Sequence, residues 1–137
     1  MSGRYIELPH AEVTSVEDQF GTVRLRLGDL TLLKSEGIPG VNESTRWRNA
    51  ATIEFEEAEV EGELPELPAR IATGDITLNG MTYRDMIALP LDQTGYASIE
   101  LKLETGRQLT ITGNDHIRLT LDGPGKYLEH VVETLGK

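Results

Sequence analysis

The stretch Ile76-Thr77-Leu78-Asn79-Gly80-Met81-Thr82-Tyr83 decides the fold class of this 137-residue chain. On both sides of Asn79-Gly80, apolar residues alternate with polar ones, as in strands that bury only one face. Asn and Gly both tolerate the positive φ angles that a two-residue type I′ turn requires. The stretch therefore predicts an antiparallel β-hairpin.

The same alternation recurs along the chain. It covers Val23–Leu27, Ile99–Leu103, Leu109–Thr112 and Ile117–Leu121. Residues that favour turns follow or separate such segments at Gly28-Asp29, Thr105-Gly106 and Gly113-Asn114-Asp115. Alternation of this kind is typical of antiparallel sheets, because parallel strands are usually covered on both faces. We therefore predict one all-β domain over residues 1–137, an antiparallel β-sandwich or flattened barrel of hairpins.

A long bent strand is predicted over residues 45–64. Up to Phe55, Trp47, Ala51, Ile53 and Phe55 share the odd positions, whereas Ala58, Val60 and Leu64 lie at even ones. One extra residue at Glu56-Glu57 accounts for this change of phase, which is the signature of a β-bulge.

Trp47 lies between Arg46 and Arg48 on this strand. A tryptophan flanked by arginines could stack on a base or a sugar. Its parity with Ile53 and Phe55 indicates instead that it points to the core, with both arginines in water. We expect these three apolar side chains to be buried together.

Two segments depart from the alternation. Ser35–Ser44 is rich in turn formers and is predicted to be the longest loop. Near the C-terminus, Tyr127, Val131 and Leu135 recur every fourth residue, which predicts a short helix over about 125–135, with a final strand as the alternative.

The segment Met86–Leu91 is apolar at both parities, which predicts a strand covered on both faces. The second cover is expected to be the C-terminal helix or another subunit. In the second case a homo-oligomer would form through Met86, Ile87, Ala88, Leu89 and Leu91.

Composition narrows the classes of partner. The net charge is −10, and Glu54–Glu66 holds seven glutamates with no lysine or arginine. Such an acidic field repels phosphate groups, so nucleic acids and anionic membranes are poor partners.

The chain has no cysteine, which excludes disulfides and thiolate metal sites. It also lacks an apolar leader or a long apolar run, so we expect a cytoplasmic protein.

No motif for catalysis or for cofactor binding is found. His10, His116 and His130 are too far apart in sequence to form a recognisable metal-binding pair. Gly123-Pro124-Gly125-Lys126 is too short for a phosphate-binding loop, and its proline removes a backbone donor. We therefore predict no catalytic residue, no cofactor and no metal.

The candidate site is the acidic strip, which we define as Glu57, Glu59, Glu61 and Glu63. At intervals of two residues these side chains fall on one strand face, about 7 Å apart. Like charges at this spacing repel each other, so the strip favours recognition of a basic protein surface. The sequence thus predicts a non-enzymatic protein-binding or assembly module. The alternatives are a lipocalin-like carrier of a small apolar ligand and, less favoured, an enzyme that uses scattered carboxylates.

Overall fold

The computed structural model describes the backbone of residues 2–38 and 41–134 and the side chains of residues 3–35 and 45–129. Within these ranges every regular element is a β-strand, and each pairing between strands is antiparallel. The strands are β1 (Ser2–Glu7), β2 (Glu12–Gln19), β3 (Thr22–Ile38), β4 (Val41–Glu61), β5 (Ala69–Leu78), β6 (Met81–Arg84), β7 (Met86–Leu89), β8 (Asp92–Thr94), β9 (Ala97–Leu103) and β10 (Gln108–Thr134).

The strand pairings close on themselves. Hydrogen-bonded neighbours follow the circuit β2–β3–β4–β10–β9–β5 and return to β2, as in a flattened barrel. Outside this circuit, β1 pairs with β3, and β7 pairs with β1. The segment 81–94 runs across the barrel, with β6 on β5, β7 on β1 and β8 on β10. The predicted all-β antiparallel architecture is confirmed.

The core consists of inward-facing aliphatic side chains from most of the strands, together with Phe55. Ile53 and Phe55 are fully buried, as predicted. Trp47 is only half-buried and packs at the rim of this core, where its ring meets Tyr127 edge-on at 5.4 Å. The predicted burial of Trp47 with the other two is therefore only partly right, because strand β4 extends past the core at this point.

Two hairpins have tight turns with positive φ at both central residues. Asn79 and Gly80 have φ angles of 47° and 91°, so the hairpin predicted there is confirmed. Phe20 and Gly21 have φ angles of 53° and 80° and join β2 to β3. The second turn was not predicted, because phenylalanine is an unusual residue at positive φ.

Gly28-Asp29 is not the predicted turn. Strand β3 continues through it, with a register shift between Leu27 and Leu30 and a φ of 50° at Asp29. Both flanking segments pair with β4, so the extra residue is absorbed as a bulge. Gly113–Asp115 behaves similarly, since β10 runs through it with a register shift against β4.

The predicted loop over Ser35–Ser44 is mostly strand. Strand β3 extends to Ile38 and β4 starts at Val41, with Ser35 paired to Ser44. Residues 39 and 40 lie outside the described part of the chain. The prediction failed because residues that favour turns still form a ladder when a long hairpin aligns them with a partner strand.

The predicted C-terminal helix over 125–135 is wrong. Strand β10 runs to Thr134 and pairs with β4 down to Val41, so the alternative of a final strand is correct as far as the description reaches. Residues 135–137 lie outside it. Register shifts near Gly123 and Leu128 disturb the period of two, which explains why the segment resembles a helix in sequence.

Candidate functional site

The acidic strip lies where β4 bends. Glu57 has a φ of 49° and lies in the register shift between Glu56 and Ala58. Glu59 and Glu61 follow on the outer face of β4, opposite Thr112 and Thr110 of β10. Glu63 comes after the end of the strand and lines a cavity of about 80 Å³ with Arg107.

All four glutamates of the strip are exposed to solvent. Glu61 accepts a long hydrogen bond of 3.4 Å from the Thr112 hydroxyl. Among the side chains at 3–35 and 45–129, no salt bridge involves any of the four. The strip therefore keeps its negative charge open to solvent on this side of the barrel.

The neighbouring Glu54 is different, because two arginines hold it. Its carboxylate lies 2.6 Å from Arg24 Nε on β3 and 3.1 Å from Arg118 Nη2 on β10. Hydrogen bonding by Arg24, reinforced by the positive charges of both arginines, lowers the pKa of Glu54 below its ordinary value. This cluster ties three adjacent strands together and is fully satisfied, so it has a structural role.

His116 lies between two carboxylates. Its Nε2 is 2.5 Å from Asp92 Oδ1, and its Nδ1 is 3.7 Å from Glu56 Oε2. Within the described chain this imidazole hydrogen-bonds no hydroxyl that could act as a nucleophile. The arrangement fastens β8 to β10.

A polar cavity of about 260 Å³ lies on the outer face of β5 and β9. Asp75 and Glu100 are directly opposite each other there, as an acid–base pair would require. However, Arg84 Nε donates to Asp75 at 3.1 Å, and Gln108 Nε2 donates to Glu100 at 2.9 Å. The hydrogen bond that Arg84 donates to Asp75 also raises the pKa of Arg84. Both carboxylates therefore already accept hydrogen bonds from side chains of the same chain.

In the part of the chain that the structure describes, no group of three or more His, Asp or Glu side chains could hold a metal ion. Nor is there in that part a helix of the length and hydrophobicity needed to cross a membrane.

The bend between β6 and β7 builds a site that the sequence did not predict. Asp85 connects the two strands with a φ of 63°. Its carboxylate accepts hydrogen bonds from the Thr73 hydroxyl at 2.6 Å and from the Gly74 amide at 2.9 Å. Its backbone also bonds Gly74 and Leu8, so the bend is held from β5 and from the end of β1.

Two adjoining cavities lie at this bend, and together we call them the corner groove. The inner one has a volume of about 230 Å³ and is lined by Ile76, Leu78, Tyr83, Met86, Ile87, Ala88, Pro90, Leu91 and Gln93. The outer one has about 410 Å³ and is lined by Tyr5, Thr82, Tyr83, Arg84, Met86 and Ala88. Tyr83, Met86 and Ala88 belong to both cavities. Three residues of the inner cavity, Ile76, Ile87 and Leu91, belong to the core, so the groove lies directly on the core of the barrel.

The strand in this groove is covered on one face only. Ile87 and Leu91 are buried, but Met86 is 47 % exposed and Ala88 is also exposed. The expectation that Met86–Leu91 is covered on both faces is therefore wrong for this chain alone. The helix expected as its cover does not exist, because that segment is paired with β4.

The sequence carried one signal of the groove. Apolar residues at both parities of 86–91 indicated that something covers the strand, but they did not show where the open face lies. Tyr5 was not singled out, because its place in the groove depends on the pairing of β1 with β7. Tyr83 was not singled out, because its place there depends on the bend at Asp85.

Comparisons of the chain with models of protein families, with curated proteins and with solved structures found no match.

Proposed function

We propose that this chain is a non-enzymatic protein-binding or assembly module that holds an apolar side chain of a protein partner in the corner groove. The observation that carries the proposal is the exposure of large apolar side chains around a groove that lies on the core. Tyr83 is 45 % exposed, Met86 47 % and Met81 62 %. Contiguous apolar surface of this kind usually marks an interaction site.

The shape of the groove favours a side chain as its occupant. A cavity of about 150 Å³ already holds a benzene ring, and the inner cavity has about 230 Å³. Most of its lining side chains are apolar, so an aromatic or aliphatic group gains by burying apolar surface there.

Strand β7 supports a protein as the partner. It is only four residues long and pairs with β1 alone among the described strands. Exposed backbone groups at such an edge can hydrogen-bond an added chain, while the groove takes its side chains.

The acidic strip is the second surface of the proposed module. Its exposure and its lack of salt bridges among the described side chains support contact with a basic protein surface. The same charge disfavours nucleic acids and anionic membranes as partners. The absence of cysteine is consistent with the cytoplasmic location that we include in the proposal.

The alternative is a carrier of a small apolar ligand, and the inner cavity is the observation in its favour. Small-molecule sites usually enclose most of the ligand surface. Here Tyr83, Met86 and Ala88 form an open mouth, which suits a protruding side chain better than an enclosed ligand.

Photocrosslinking tests the proposal. Benzoylphenylalanine placed at position 82, at the edge of the outer cavity and outside the mouth, should form a covalent adduct of discrete protein mass inside the producing cells. The same probe at position 100, on the polar outer face, should not. Equal labelling at both positions, or none at position 82, would contradict the proposal. If native mass spectrometry then shows a small apolar molecule in the purified chain, the carrier replaces the binding module.

A further inference from the structure

Strand β7 leaves backbone groups open to the corner groove. The Leu8 amide donates to the Asp85 carbonyl at 2.9 Å, one step beyond the Glu7–Met86 pair, so the ladder with β1 ends on a hydrogen-bonded pair. Hydrogen-bonded and non-hydrogen-bonded pairs alternate in an antiparallel ladder. The amides and carbonyls of Met86 and Ala88 therefore point away from β1. Within the described chain nothing else hydrogen-bonds them, and both residues line both cavities.

The spacing of these open groups fits an extended chain. Backbone groups on one edge of a strand recur at every second residue, which is the spacing that an added strand requires. An added strand shares the two faces of β7, which are the buried face of Ile87 and the exposed face of Ala88. On the first face its side chains meet the inner cavity, and on the second they meet the outer cavity beside Tyr5. Both faces favour apolar side chains.

The charges around the groove are mainly negative. Arg84, which lines the outer cavity, donates to Asp75 at 3.1 Å, and the negative charge of Asp85 also acts on it. Glu7 lies opposite Met86 on the groove face and forms no salt bridge with a described side chain. Three carboxylates thus accompany one guanidinium, and Glu7 is the one farthest from compensation.

Other arginines of this sheet do not offset that charge. Arg46 and Arg48 share the groove face, but they lie two strands away from β1 on β4. They are also held by carboxylates of their own, Arg46 by Glu129 at 3.4 Å and Arg48 by Asp29 at 2.8 Å. Arg4 of β1 points to the opposite face of the sheet. The groove therefore favours an occupant with positive charge.

We infer that the corner groove takes an extended segment of a protein partner as an added strand on Met86 and Ala88, with apolar side chains in the cavities and a lysine or arginine beside Glu7. This inference rests on the proposed function and specifies the chemistry of its partner. Backbone pairing and apolar burial provide contact with many sequences, and the basic residue selects among them.

Two labelled peptides test the inference by fluorescence anisotropy. Both alternate valine with threonine around a central phenylalanine, and their ends carry either lysine or glutamate. The lysine peptide should bind the wild-type chain more tightly. Glu7→Gln should weaken its binding roughly three- to fivefold, as the loss of one partly exposed ion pair implies. Glu100→Gln, which has the same net charge but lies on the polar outer face, should leave that binding nearly unchanged.

The added strand is tested separately. Ala88→Pro removes an amide that points into the groove and none that bonds β1, so the fold is retained while peptide binding weakens roughly tenfold. Ala88→Ser keeps the amide and should bind like the wild type. N-methylation of alternate amides of the lysine peptide tests the same contact on the unaltered chain. One alternate set should abolish binding and the other should not, because a strand pairs along one edge through every second residue.

Three results would overturn the inference. They are equal effects of Glu7→Gln and Glu100→Gln, equal effects of the two sets of N-methyl groups, and no binding of either peptide. An adduct at position 82 together with any of these would retain the proposed function and reject the basic extended segment as its partner.

Discussion

Glu54 Oε2 lies 2.6 Å from Arg24 Nε, and this pair links the middle of β4 to β3 on the outer face of the barrel. From β10, Arg118 completes the contact. The carboxylate is thus shared by three strands at the point where the acidic segment begins. Glu54 is neutralised within the fold, whereas the glutamates from Glu57 onward face solvent.

The first prediction is a loss of stability in acid. The pKa of Glu54 is lower in the folded chain than its ordinary value of 4.5. The stability it contributes is therefore fully present above that ordinary value and is lost as the pH falls through the lowered one. Glu54→Gln should lower the free energy of unfolding at neutral pH by about 1 kcal/mol, an estimate that allows for solvent screening. Urea denaturation at several pH values checks this. Glu59→Gln is the control, and an equal effect there would contradict the role of Glu54.

The second prediction is a gain of stability at the β2–β3 turn. Asn adopts positive φ more readily than Phe, so Phe20→Asn should stabilise the fold by roughly 0.5–1 kcal/mol. For a chain of this size that raises Tm by a few degrees. Thermal unfolding followed by circular dichroism measures the change. A lower Tm would show that the ring supports its own fold.

The third prediction separates Phe55 from Trp47. Phe55 is fully buried, so Phe55→Ala should cost about 3–5 kcal/mol and leave the chain largely unfolded. Trp47 is half-buried at the rim, so Trp47→Ala should cost only about 1–2 kcal/mol. Urea midpoints of the two variants give the comparison. Equal losses would place Trp47 in the core after all.

The fourth prediction concerns the acidic strip. Changing its four glutamates to Gln relieves repulsion of a few tenths of a kcal/mol per pair, so the fold should be unchanged or slightly more stable. Binding to poly-lysine, measured by titration at several salt concentrations, should weaken together with its salt dependence. A control chain of the same net charge carries Gln at Glu7, Glu12, Glu100 and Glu104. If both chains bind poly-lysine equally, only net charge matters and the strip has no special role.

Much of the fold could be predicted from local features of the sequence. Alternation marks the buried face of each strand, because neighbouring residues of a strand point to opposite sides. Asn79-Gly80 specifies its turn, because both residues accept positive φ without help from the rest of the chain. The change of phase after Phe55 coincides with the register shift at Glu57, because one extra residue in a strand moves every later side chain to the opposite face.

Other features depended on which strands meet. Gly28 and Asp29 accept positive φ both in a turn and in a bulge. Because the residues on both sides of them pair with β4, they form a bulge here. Arg46 and Arg48 are the basic residues that precede the acidic segment most closely in sequence. Glu54 is nevertheless bound by Arg24 and Arg118, because β3 and β10 flank β4 at this point.

The candidate sites divide in the same way. The exposure of the acidic strip followed from the sequence by itself, because glutamates without basic neighbours in the sequence are costly to bury, whether they lie on a strand, in a bulge or beyond the end of a strand. The corner groove was decided only by the tertiary structure. Asp85 bends the chain through bonds to Thr73 and Gly74, and the pairing of β7 with β1 then buries Ile87 while leaving Met86 and Ala88 open. The apolar residues of 86–91 were visible in the sequence, but contacts between strands distant in the chain determined which face stays uncovered.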